Sequence, residues 1–497
     1  MARSRARTAA KVLGVLVAAT AGILAVQEAR KRAQSGDTAT KGPVDTTTRG
    51  GRSAAMAGVG AKAGGAYAVH RARRAFASAE RQVELDAAFE LKTAESITEA
   101  LGNMKGAMMK LGQMASYLDQ GMPEHVRLAL AELQSNAPPM SAELASQVVT
   151  AELGSTPENA FAEWDPKPIA SASIGQVHRA ITHDGRAVAV KVQYPGVGDA
   201  IRADLDNAGM LFAAIGMLFP GLDPEPIVEE LRERLIEELD YRLEAENQQL
   251  FADFYRGHPF IHVPEVVGEL STELVLTTEL AEGVPFAVAE TWSQEERDLA
   301  AEAIFRFVFG SLYRLHAFNG DPHPGNYLFR PGGQVTFLDF GLVKRFSPDE
   351  IKVLERMITA MVLDHDIPEY RRTIEEIGML RPGAPFSDAE VEDYFGHFYD
   401  FVLRDEEGTI TSEYASETVR RFFDAGGPHG PIMKAANVPP AFVIIQRINL
   451  GLYAIFGQLH ATANWRRISE EIWPFVGGPP STELGRLAAS WTATHPG

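Results

Sequence analysis

Apolar residues recur at three- and four-residue spacing from Ala79 to Leu133, through Leu85, Phe89, Ile97, Leu101, Met104, Met108 and Leu111, which predicts helix. Pro138-Pro139 ends that pattern, and Ser141 then reads as the N-cap of a helix running to about Leu153. Between residues 168 and 194 the period changes. Ile169, Val177 and Ile181 precede Asp184-Gly185, and Ala187-Val188-Ala189-Val190 with Val192 follows it, the pattern of a β-hairpin. Helices are expected again at about 199–218 and 225–252, then short strands near 261–267 and 272–280. A helix from Ser293 to Phe318 leads into a Gly/Pro-rich loop, strands near 327–330 and 335–339, and a largely helical remainder. That order predicts an α+β chain with a small upper lobe and a helical lower lobe.

Composition narrows the class. With 497 residues, 45% of them hydrophobic and 23% charged, the chain is globular and long enough for two or more subdomains. It has no cysteine, which removes disulfide frameworks, Cys-based zinc sites and thiol nucleophiles, and fits a reducing, cytosol-facing location. The formal charge of −19 is unevenly spread, because residues 1–80 carry about +10 and the rest about −29. An acidic body argues against nucleic-acid binding, while a basic, apolar head suits an anionic membrane surface. Within that head the uncharged run Val12 to Val26 is shorter than the roughly 20 residues a spanning helix needs. It reads as a short or tilted anchor, an interfacial helix, a signal-type segment, or an Ala-rich helix that never meets lipid. The expected location is the cytoplasmic side of a membrane, with soluble cytoplasmic as the alternative.

Three segments supply what phosphoryl transfer to or from ATP requires. Val188-Ala189-Val190-Lys191 puts a lysine on a β-branched run, so strand alternation leaves its ammonium on one face for phosphate. Asp321-Pro322-His323-Pro324-Gly325-Asn326 pairs an Asp, to orient or deprotonate an attacking hydroxyl, with an Asn for magnesium. Asp339-Phe340-Gly341, behind the apolar strand Val335-Thr336-Phe337-Leu338, supplies a second magnesium carboxylate. Lys191 also needs a glutamate. On one continuous helix over 225–252, Ile227, Val228, Leu231, Leu235, Leu239 and Leu243 form a stripe that contains Glu238, which is therefore the expected partner. Glu237, Asp240 and Glu244 fall opposite, either solvated or facing a second cationic element. Ahead of Lys191, Ala170-Ser171-Ala172-Ser173-Ile174-Gly175-Gln176-Val177 lies where a kinase has its glycine-rich phosphate loop, but only Gly175 of the three glycines is present. No Gly-x-x-x-x-Gly-Lys-Ser/Thr loop occurs.

With these motifs the chain closely resembles the UbiB/AarF family of atypical protein-kinase-like proteins. Its marks are Lys110-Leu111-Gly112-Gln113, the alanine-rich loop 170–177, Glu238-Leu239-Asp240, the Asp321 to Asn326 loop and Asn464-Trp465-Arg466, spanning about residues 80 to 470. The resemblance implies a two-lobed kinase-like fold with an N-terminal helical extension over the active site. It places Lys110 and Gln113 inside the cleft where a protein kinase receives its peptide, with Asp240 and Glu244 as counterparts of Lys110. It places the adenine-binding hinge at Glu279, Leu280 and Ala281. It further implies ATP or ADP with Mg2+, a role in ubiquinone or other isoprenoid-lipid biosynthesis, and a membrane or quinone-lipid partner.

The expected segments are 1–33 (basic and apolar), 34–78 (linker and small-residue helix), 79–160 (helical extension), 161–283 (upper lobe), 284–475 (lower lobe) and 476–497 (tail). Two other functions compete with an ATPase or atypical kinase. One is a nucleotide-gated lipid-binding scaffold with little turnover. The other is a small-molecule phosphotransferase of the aminoglycoside or choline kinase type, which has His where this chain has Asn319.

Overall fold

A computed structural model of the chain describes residues 140–172, 174–198, 236–320, 322–423, 427–437 and 439–495. The apolar run Val12–Val26, the helices expected over 79–133 and 199–218, Lys110, Gln113, Ser173 and Asp321 lie outside the described residues. The first described helix, α1 (Ala142–Leu153), is capped by Ser141, which accepts from Leu144 N, and closed by Gly154 in the left-handed region at φ 68°.

Helix α1 lies on an antiparallel sheet. Its strands are β1 (Glu163–Ser171), β2 (Gly175–Ile181), β3 (Ala187–Gln193) and, after the short β4 (Ile261–His262), β5 (Val275–Glu279), in the order β1-β2-β3-β5. On β3, Val188, Val190 and Val192 are buried with Ala145, Val148 and Val149 of α1. Each such valine contributes roughly 2 kcal/mol of burial. The strand's two-residue period therefore sends Lys191, paired with Val177 and Leu276, out of the opposite face. That face carries Ile174, Leu239, Tyr241 and Leu276 as a small apolar cluster.

The helix expected over 225–252 is interrupted. Ile236 and Glu237 are helical, Glu238 and Leu239 form a turn, and Asp240 at φ −110°, ψ 98° caps a new helix, α2 (Tyr241–Phe254). A 100° phase cannot be carried through a non-helical cap, and the break rotates the register. The buried face of α2 is Tyr241, Glu244, Gln248, Phe251 and Ala252, whereas Leu243 is exposed.

The lower lobe is organised by α3 (Gln294–Arg314), whose Ala300, Ala301, Ala303, Ile304, Phe307 and Val308 are all buried. It ends before Phe318, because His316 takes φ 50° and turns the chain into a strand, β7 (Ala317–Asn319). β7 pairs with β10 (Val343–Arg345). Between them β8 (Tyr327–Arg330) and β9 (Gln334–Phe337) join β4 and β6 (Val284–Pro285) in the order β4-β9-β8-β6. Gly332 and Gly333 turn the β8–β9 hairpin, both with positive φ. Further helices include α4 (Pro348–Ile358), opened by the Ser347/Glu350 capping box, α5 (Ile367–Glu376), α6 (Pro440–Leu459) and α7 (Trp465–Ile472). The segment expected as a tail contains α8 (Glu483–Thr494), whose Trp491 is buried in the lower-lobe core against Tyr255 and His258.

Candidate functional site

Lys191 meets its carboxylate at the first turn of α2. Its Nζ lies 2.8 Å from both oxygens of Glu244 and 3.7 Å from Asp339 Oδ2. The lysine's carboxylate is thus Glu244, where Glu238 was expected. The helix break at 238–240 is the reason, since it turns Glu244 inward and puts it one turn into a helix packed on the sheet. Asp240, expected as a pocket acid, instead accepts from Arg242 N at 3.0 Å and pairs with the Arg242 guanidinium. Glu238 stays close to the cluster. A Cβ built on Gly341 would stand 3.3 Å from Asp339 Oδ1, 3.6 Å from Glu238 Cγ and 3.7 Å from Glu244 Oε2, so only a small residue lets three acids gather there.

Burial opposes the Lys191 charge, but Glu244 and Asp339 outweigh it and hold the ammonium well above the usual lysine range. Burial pushes Glu244 up to about 7, with Lys191 working against the rise.

The other expected metal ligands come together by strand pairing. Asn326 closes a short 3-10 turn, Pro324–Asn326, and its carbonyl accepts from Leu338 N at 3.0 Å, next to Asp339. Asp339 Oδ1 accepts from Gly341 N at 3.0 Å and its carbonyl from Asn319 Nδ2 at 2.8 Å. Gly320, immediately before Asp321, donates to Leu342 O at 2.7 Å, so the β7–β10 pairing ties the two loops together. Phe340 is fully buried against Phe251 of α2 and Phe307 of α3. Asn247 of α2 donates to Phe340 O at 3.4 Å and accepts from Arg345 at 3.2 Å.

The alanine-rich loop is the turn of the β1–β2 hairpin, with Ala170 and Ser171 ending β1, Ala172 N donating to Gly175 O, and Gly175 opening β2. Two of its side chains are buried within the protein. Ile174 is in the apolar cluster, and Gln176 is buried, accepting from Met140 N at 2.9 Å and meeting His178 Nε2 at 2.9 Å. Val177 pairs with Lys191. At the hinge, Glu279 N donates to Glu265 O and Leu280 N to Ala187 O, so two of the three N–H groups are already committed. Tyr241, Asn247 and Asn319 were not anticipated. Asp240 is a ready N-cap residue, and reading it as one would have exposed the α2 phase.

These oxygens suit magnesium. Among the described residues no three acidic or histidine side chains converge tightly enough to hold a metal alone. A magnesium site finished by phosphate oxygens and waters needs only one or two protein carboxylates.

Comparison with known proteins identifies the architecture. Residues 132–371 match the model of the ABC1 atypical kinase-like domain. A chain from the solved Rv3197–erythromycin complex of Mycobacterium tuberculosis is 33% identical, with a TM-score of 0.58, and the match covers 80% of this chain and 100% of that one. The chain belongs to the ABC1 atypical kinase-like family. Family relatives include the mitochondrial atypical kinase COQ8B of Rattus norvegicus, 33% identical over 60% of this chain and 57% of its own length. The mitochondrial atypical kinase COQ8 of Saccharomyces cerevisiae is 30% identical over 56% of each. The probable serine/threonine-protein kinase abkA of Dictyostelium discoideum is 34% identical over 53% of this chain and 49% of its own. The match thus spans about half the length of these curated relatives. The ABC1-type region includes the alanine-rich hairpin, Lys191, Glu244 and the loops of Asn326 and Asp339, all within residues 132–371.

Proposed function

We propose that this chain binds ATP with magnesium in the cleft between its lobes and hydrolyses it or transfers its terminal phosphoryl group, in support of ubiquinone or other isoprenoid-lipid metabolism. The observation that carries the reading is Lys191 held by Glu244 and Asp339 across two lobes. A lysine ammonium has three donors, and Glu244 takes two, which leaves one for a phosphate oxygen. Asp339 and Asn326 are the metal ligands, and bound magnesium would offset phosphate charge during transfer. Asp321 is assigned the base or water-orienting role on its motif. Adenine would sit at Ala281 N–H and the neighbouring carbonyls. The lipid assignment comes from kinship with the COQ8 proteins, and the basic, apolar first 33 residues supply a membrane-facing element. No helix among the described residues is long and apolar enough to cross a membrane.

The test is a thermal shift with ATP or ADP, with and without magnesium, on the wild type and on Lys191→Ala and Asp339→Asn. A magnesium-dependent shift in the wild type that both variants lose supports the reading, and none in the wild type rejects it. One observation favours a second reading. The Mycobacterium tuberculosis neighbour was solved with erythromycin, so a chain of this architecture takes up a bulky organic molecule. A binding protein whose nucleotide site gates ligand uptake, with little turnover, is that alternative. Phosphate release measured over anionic liposomes decides between them.

A further inference from the structure

Glu244 holds the Lys191 ammonium in place but takes two of its N–H groups, and Asp339 stands 3.7 Å away, so one donor is left for a phosphate oxygen. A phosphate-binding lysine is better served by a partner that steadies the cation without taking an N–H. The face of an aromatic ring does this, because it attracts the cation through its quadrupole. Tyr241 is placed to do so. It is the first residue of α2, 1% exposed, and its ring centroid lies 5.0 Å from Lys191 Nζ.

The ring is fixed from several sides. Its backbone N–H donates to Glu273 O at 3.0 Å, tying the start of α2 to the segment before β5. Leu239, Ile174 and Leu276 pack around it. Gly175, the one glycine of the alanine-rich loop, makes room for it: a Cβ there would stand 2.9 Å from the Tyr241 hydroxyl and overlap the Val192 carbonyl. That glycine therefore serves close packing of the hairpin on β3 and Tyr241. Among the described residues the buried hydroxyl has no hydrogen-bond partner. A buried hydroxyl with no partner destabilises and does not hold the ring in place, which leaves the ring as the useful part.

We infer that Tyr241 is a positioning residue for Lys191, its ring face holding the ammonium toward the cleft so that the third N–H is presented to a nucleotide phosphate. The inference rests on the nucleotide-binding reading above, and it assigns the alanine-rich loop a part in building the lysine's seat.

The test uses the full chain and magnesium–ATP affinity measured by calorimetry, with melting temperature followed in parallel. Tyr241→Phe should bind as the wild type does. Tyr241→Leu should bind roughly ten- to thirty-fold more weakly, the range for a desolvated cation–ring contact. Should the leucine variant fold poorly, phenylalanines of increasing fluorination at position 241 keep the shape while draining the ring face. Affinity should then fall stepwise while the melting temperature stays level. Unchanged affinity across the fluorinated series, or a loss in Tyr241→Phe as large as in Tyr241→Leu, overturns the inference. A wild type that binds no magnesium–ATP overturns instead the reading of the site on which it stands.

Discussion

Arg306 and Lys191 are both cations sunk against carboxylates, one in the lower lobe and one at the junction of the lobes, and their surroundings differ. Arg306 donates to Glu302 at 2.7 Å, to Glu471 at 2.7 Å and to the Thr482 hydroxyl at 3.0 Å. Those acids are themselves filled, since Thr482 also donates to Glu302, and Ser481 donates to Glu471 through its N–H and hydroxyl. All three charged side chains are 6–7% exposed, and the network joins α3, α7 and the approach to α8. It closes on itself and offers a ligand nothing. Around Lys191 the same ingredients leave a vacancy of valence. Two N–H groups are used, Asp339 stands back at 3.7 Å with its side chain 24% exposed, and the acids outnumber the cation. Burial of charge marks both places; unspent hydrogen-bonding capacity beside an opening marks only the second.

The widest separation between the two comes from breaking the ion pairing at each. Arg306→Met should lower stability by about 3–5 kcal/mol, because Glu302 and Glu471 are left buried and uncompensated. Denaturant unfolding reads this, and the folded fraction should still give the magnesium–nucleotide shift. A variant that keeps full stability would make the lower-lobe network an ornament. Asp339→Asn should do the reverse. Turnover is expected to fall about a hundredfold or more, near 3 kcal/mol in barrier, with the nucleotide-free melting temperature held. Equal loss of stability and turnover would erase the distinction.

The pH response sharpens the comparison further. Glu244 is held above its ordinary value of 4.5, at about 7, by burial. A carboxyl raised on folding adds stability that is full below the unfolded value and is lost as pH rises through about 7. The ion pair with Lys191 needs the carboxylate, so nucleotide affinity should rise through the same window. Stability and affinity are therefore expected to move in opposite directions as pH approaches and passes about 7, and Glu244→Gln should flatten both. Parallel curves would count against the assignment. The smallest effect is at Asn247, whose bonds to Phe340 O and Arg345 are long. Asn247→Ala should cost about 1 kcal/mol or less in thermal unfolding.

Much of this was legible in the chain. Ser141, the Asp184-Gly185 turn and the β8 strand fall where local signals put them, because caps, tight turns and strand alternation are decided over a few residues. The same alternation sent Lys191 off the α1 side of β3. What failed was long phase. One helix was extended through Asp240, and the error moved the lysine's partner from Glu244 to Glu238 and hid the N-cap role of Asp240. Within the segment 476–497, expected as a tail, Trp491 finds Tyr255 and His258 only in the fold.

The sequence by itself determined the chemical inventory of the site: a lysine on an apolar strand, an Asp-Phe-Gly acid behind a second strand and an Asn in a proline-stiffened loop. These follow from residue type and spacing, which local physics reads directly. Only the tertiary structure decided which acid reaches Lys191, that Tyr241 lies under the ammonium and that Gly175 admits a ring. Those facts depend on how α2 packs on a sheet from which some fifty residues of chain separate it, and contact between distant segments is set by burial and shape, which carry no mark in local sequence.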